Sequence, residues 1–119
     1  MAKLTALTSY ADAQANFSTE KLWELFDGNR EQLNIAHECV DRYATEGQTA
    51  VIVLRTEAPD EIISYEHLAK RSSQMAHYLT ARGIKKGDRV AIMLEPSLAF
   101  YSCLFGIMKA GAIAVPLFT

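Results

Sequence analysis

The chain has 119 residues, half of them hydrophobic and 22% charged, with a formal net charge of −2. That balance fits a folded chain of single-domain size and excludes a disordered segment. It also excludes a basic surface that would hold nucleic acid or anionic lipid by charge alone, and the Lys85-Lys86 pair reads as an ordinary turn.

Residues 1–33 read as a lead-in followed by a short helix. Met1 to Asn16 is mixed polar and alanine-rich, lacks the basic start and apolar core of a secretory signal, and specifies little structure. Ser18 or Thr19 can cap a helix carrying Leu22, Trp23, Leu25 and Phe26, which Asp27-Gly28-Asn29 ends with turn residues. A second helix is expected from the cap Asn34, with Ala36, Cys39, Val40, Tyr43 and Ala44 on one buried face and Glu46-Gly47-Gln48 as its stop.

The period then changes. Ala50 to Arg55 is rich in β-branched residues and reads as a strand. A short connection through Pro59 leads to a second strand, Glu61 to Ser64, so the pair is expected as an antiparallel hairpin. Ser64 can cap a helix from Tyr65 to Arg82. Its inner stripe is Leu68, Ser72, Met75, Ala76 and Leu79, its outer face Lys70, Arg71, Gln74 and His77, and Gly83 stops it. Gly87-Asp88 turns into Arg89 to Leu94, whose consecutive apolar residues predict a strand buried on both faces. Pro96-Ser97 opens a helix running to Lys109, Gly111 releases it, and Ala112 to Val115 forms the next strand before Pro116. Strand, helix, strand in this order is a right-handed parallel βαβ unit. The most apolar stretch, Leu98 to Val115, is interrupted by Ser102, Gly106, Lys109 and Gly111 and divides into two elements, so it is not a membrane span.

The helix after Ser97 is apolar around nearly its whole circumference, from Leu98 through Met108. Such a helix must be covered on all sides, which places it between layers. The parallel sheet has two strands, whereas a doubly wound domain carries about five or more. The expectation is therefore an α/β segment that is incomplete as given: residues 34–119 are expected to begin a larger α/β domain. Its uncovered apolar surface is expected to promote self-association. Cys39 and Cys103 form no CxxC pair. His37 and Cys39 diverge on a helix, and the expected compartment is the reducing cytosol.

Three ordered segments carry a family resemblance. Ile63-Ser64-Tyr65-Glu66-His67-Leu68 resembles the (T/S)-Y-x-x-L segment of the adenylate-forming enzymes. Gly83-Ile84-Lys85-Lys86-Gly87-Asp88-Arg89-Val90-Ala91 is similar to their G-(V/I)-x-x-G-D-x-V-(A/G) entry to a strand. Met108 to Leu117 is similar to (L/K)-K-A-G-(A/G)-x-x-V-P-(L/I). Upstream, Asn34 to Arg42 resembles the N-x-A-x-x-C-(V/I)-D-R helix of acyl- and acetyl-CoA synthetases.

The resemblance implies the N-terminal part of an acyl-CoA synthetase fold, cut off before the ATP-binding loop. It further implies a parent enzyme that uses ATP and Mg to convert a carboxylic acid to an acyl-adenylate, then transfers the acyl group to coenzyme A. That chemistry needs clustered Ser/Thr/Gly phosphate ligands and a mobile lysine for charge neutralisation and alignment. No phosphate loop of either kind occurs here. Ser72-Ser73 lies within a helix, and Ser97, His77 and Asp88 lack a nucleophile elbow. No catalytic, cofactor-binding or metal-binding residue is assigned in this segment. The competing reading is a self-contained small α/β interaction module that oligomerises through its apolar helix.

Overall fold

The computed structural model describes residues 3–45 and 47–118. Glu46, expected in a helix stop, Thr119, expected in the final segment, and Met1 and Ala2 of the lead-in lie outside the described residues. The chain divides into two compact units, Met1–Leu33 and Asn34–Thr119.

The first unit holds a 3-10 turn at Leu4–Ala6, helix α1 (Tyr10–Asn16) and helix α2 (Thr19–Trp23). Helix α1 corrects the expectation of an unspecified lead-in. Ser9 caps it: its Oγ accepts from the Asp12 N–H at 3.1 Å and donates to the Asp12 carboxylate at 2.7 Å. One helix-end N–H is thereby satisfied, and the Asp12 carboxylate holds the capping hydroxyl in place. Ser18 caps α2 in the same way through the Lys21 N–H. The Asp27-Gly28-Asn29 turn closes the unit, and the Asn29 side chain accepts from the N–H groups of Glu31 and Gln32. A Cβ at Gly28 would lie 2.5 Å from the Gln32 carbonyl oxygen, so this turn needs glycine for close approach rather than for a positive φ.

In the second unit, Asn34 caps α3 (Ile35–Cys39) by accepting from the Ala36 N–H. The expected longer helix is broken at Val40, where φ −127° and ψ −62° leave the helical region and the chain passes into a 3-10 turn, Asp41–Tyr43. The break corrects the expected buried face: Ala36 and Val40 are buried, whereas Cys39 and Tyr43 are exposed. Glu38 is buried instead, its carboxylate 2.6 Å from the Arg42 guanidinium.

Strands β1 (Thr49–Val53) and β2 (Glu61–Ser64) form the expected antiparallel hairpin, with Ile52 opposite Ile62 and a register irregularity between Thr49 and Val51. Ser64 caps α4 (Tyr65–Ala81) through the His67 N–H. Leu68, Ser72, Ala76 and Leu79 are buried as the 3.6-residue period requires, with Met75 half-buried. Strands β3 (Arg89–Ile92) and β4 (Ile113–Pro116) pair in parallel on either side of α5 (Leu98–Lys109), completing the βαβ unit.

Two details of this unit differ from expectation. The β3 strand is buried on one face only: Ile92 is inside, while Ala91 and the following Met93 are exposed, as is Ile113 on β4. Pro116 does not end the pairing. It sits opposite Ile92, and the next N–H, that of Leu117, donates to the Ile92 carbonyl at 2.8 Å. A proline lacks only its own donor, so the ladder resumes one residue later.

Helix α5 stands between two cores. Leu98, Tyr101 and Phe105 pack on the hairpin core of Val40, Val53, Ile63 and Leu68. Phe100, Cys103 and Leu104 pack on the parallel-sheet core of Leu79, Ile92, Ile107 and Ala112, to which α5 contributes Ile107. This is how an apolar helix finds cover on most of its circumference, with Ala99 its exposed position.

Candidate functional site

Residues of two of the sequence motifs, Asn34–Arg42 and Met108–Leu117, meet at one end of α5. The Asn34 side chain works at two helix ends: its Oδ1 caps α3, and its Nδ2 donates at 3.2 Å to the Met108 carbonyl at the C-terminus of α5, which also accepts the Gly111 N–H at 3.0 Å. Lys109 follows, with an 11% exposed side chain. Its ammonium donates to Asp41 Oδ1 at 2.6 Å, Ser73 Oγ at 3.0 Å and the Ala69 carbonyl at 3.0 Å. An ammonium has three protons, and here three acceptors take them. The sequence reading, which placed Lys109 only at the end of a helix, missed this bridge. Its signal was the co-occurrence of an Asp-Arg segment and a Lys-Ala-Gly segment, joined in space across 68 positions.

At the opposite end of α5, Ser97 caps the helix through the Phe100 N–H, and Glu61 of β2 accepts from the Leu98 N–H at 3.3 Å. The second Glu61 oxygen meets the Arg55 guanidinium at 2.6 Å, so one carboxylate ties the hairpin loop to the helix N-terminus. Negative charge is favoured there by the helix dipole. Between the two ends, α4 and α5 touch where Gly106 faces Ser72 and Met75.

The residues of a nominal Ser-His-Asp set are placed as follows. Ser97 is the helix cap, His77 is exposed on α4, and Asp88 accepts the Lys85 N–H within a turn. Ser72 is buried and donates back to the Leu68 carbonyl inside its own helix. Among the described residues no group of three or more His, Cys, Asp or Glu could hold a metal ion.

Several cavities remain. One of about 640 Å³ in the first unit is lined by Glu20, Trp23, Glu24, Gly28, Asn29 and Arg30. A second, of about 240 Å³, lies beside Ser73, His77, Thr80 and Lys109, but the Lys109 ammonium is already saturated. A third, also about 240 Å³, is apolar and runs along β3 past Met75, Met93, Leu94 and Cys103.

Two polar groups on α5 lead to predictions. Burial pushes the Cys103 thiol above its ordinary pKa, whereas Cys39 is exposed. The thiolate is the nucleophile, so at pH 8 an alkylating reagent should modify Cys39 quickly and Cys103 slowly, with the slow phase accelerating as pH rises. A Cys39→Ser variant that still reacts at the rate of a free exposed thiol would contradict this. Ser102 is 5% exposed and its hydroxyl has no hydrogen-bond partner. Ser102→Ala should therefore raise stability by about 1 kcal/mol, since it removes an unsatisfied hydroxyl and improves helix propensity. The check is the urea midpoint, and a lower midpoint would mean that the hydroxyl is satisfied.

Capped helices on a hairpin and a βαβ unit, tied together by side chains at both ends of α5, make up an α/β frame. Residues 40–119 match the family described as AMP-binding enzyme. The chain belongs to that family, and its fold is that of the N-terminal AMP-binding portion of adenylate-forming enzymes. It is 36% identical over 106 residues to an acetyl-coenzyme A synthetase of Halorhodospira halophila, a match spanning 79% of this chain and 16% of that protein. It is 29% identical over 111 residues to bacitracin synthase 1 of Bacillus licheniformis, covering 93% of this chain and 2% of that one. The crystal structure of an acyl-CoA synthetase from Brucella canis superposes with a TM-score of 0.83 at 33% identity, over 95% of this chain and 21% of the other. The chain thus spans a small fraction of the length of its relatives.

The family implies ATP, Mg and coenzyme A. Among the described residues no His/Cys/Asp/Glu group of metal-binding size stands ready for the Mg ion, and the Lys109 ammonium is engaged by Asp41, Ser73 and the Ala69 carbonyl.

Proposed function

We propose that this chain is the frame-building N-terminal segment of an AMP-forming carboxylate–CoA ligase. The parent enzyme activates a carboxylic acid with ATP to an acyl-adenylate and passes the acyl group to coenzyme A. The observation that carries the reading is the superposition over 95% of the chain, at 33% identity, on an acyl-CoA synthetase. Within that reading these residues supply no reacting group: they fix α5 and the parallel sheet so that the remainder of the enzyme can build an ATP site on them. The two free cysteines suit a reducing cytosol, and no helix among the described residues is long and apolar enough to cross a membrane.

The test has two arms. The 119-residue chain alone should show no carboxylate-dependent exchange of pyrophosphate into ATP. The polypeptide extended past Thr119 in its reading frame should release pyrophosphate and form a CoA thioester with one class of carboxylic acid in a panel. Exchange by the short chain would overturn the assignment of a purely structural role, and an adenylate without thioester would favour the chemistry of the peptide synthetases.

A second reading, a small interaction module that self-associates, draws on the exposed Met93, Ile113, Leu117 and Phe118. Under it the reading frame would stop after Thr119 and the chain would form a defined oligomer in sedimentation, rather than the polydisperse aggregate expected of an uncovered sheet face.

A further inference from the structure

We draw no further inference here: the strongest candidate, the exposed apolar face of the β3–β4 sheet with the groove of about 240 Å³ along β3, carries nothing because nothing in the structure shows what covers it.

Discussion

Replacing Lys109 by methionine is expected to destabilise the second unit by about 2–3 kcal/mol, although methionine preserves most of the packing of the lysine stem. Removing one member of a fully buried ion pair costs about 3–5 kcal/mol, because the partner is left charged and dry. Lys109 meets the burial condition, but the Asp41 side chain is 33% exposed and water can partly rehydrate it, which brings the estimate below that range. The Ala69 carbonyl loses least, since the Ser72 hydroxyl also donates to it. Asp41→Asn combined with Lys109→Met should restore part of the loss, with a coupling of about 1 kcal/mol or more in a double-mutant cycle by urea denaturation. Strictly additive effects would show that the 2.6 Å contact contributes nothing beyond its separate halves.

Gly106→Ala should lower stability by about 2 kcal/mol even though alanine is the better helix former by about 1 kcal/mol. The reason is distance. The new Cβ would lie 2.6 Å from Met75 Cβ, 2.7 Å from Met75 Cγ and 2.8 Å from the Ser72 carbonyl oxygen. A methionine side chain can partly yield, but its Cβ and a backbone oxygen move only if α4 and α5 part. Overpacking of this kind costs up to about 3 kcal/mol, which exceeds the propensity gain. For a chain of this size the net loss corresponds to a Tm lower by roughly 10 °C. Adding Met75→Ala should not rescue it fully, because the Ser72 oxygen remains. An unchanged or higher Tm for Gly106→Ala would mean that the helices pack less closely than 2.6–2.8 Å implies.

Much of the frame was legible because its signals are local. Ser64 and Ser97 announce α4 and α5 by capping chemistry, and both caps are made. Gly83 and Gly111 end these helices with positive φ, 87° and 75°. The hairpin follows from two β-rich runs joined by a short connection, and the parallel pair from the order strand, helix, strand. Helix α1 was equally legible in principle: Ser9 and Asp12 stand at the capping-box spacing, and the expectation of an unspecified lead-in overlooked it.

What could not be read were the non-local decisions. The residues from Asn34 to Ala44 have helical periodicity, yet the chain leaves the helix at Val40. This places Asp41 within reach of Lys109, a partner invisible to any window of neighbouring residues. Glu38 stands differently: Arg42 lies at the i+4 spacing that the sequence displays, and only the burial of the carboxylate depends on the fold. The exposure of β3 on one side was hidden for another reason: an apolar strand states only that it needs cover, not which segment provides it. The same holds for the site. The motifs identify the family through residues that lock helices together, and such residues carry no signature of the acid to be activated.

The position of α5 between the hairpin and the parallel sheet has a mechanical consequence. A wall shared by two rooms cannot be moved for the benefit of one. Any rotation of α5 that improved the seating of Tyr101 and Phe105 against the hairpin would displace Leu104 and Ile107 from the sheet. Glu61 clamps one end of the helix, and Asn34 and Lys109 clamp the other, so sliding is opposed as well. The hairpin is therefore no detachable ornament. Through Glu61 it is tied to the N-terminal end of α5, the end that the chain reaches on leaving β3.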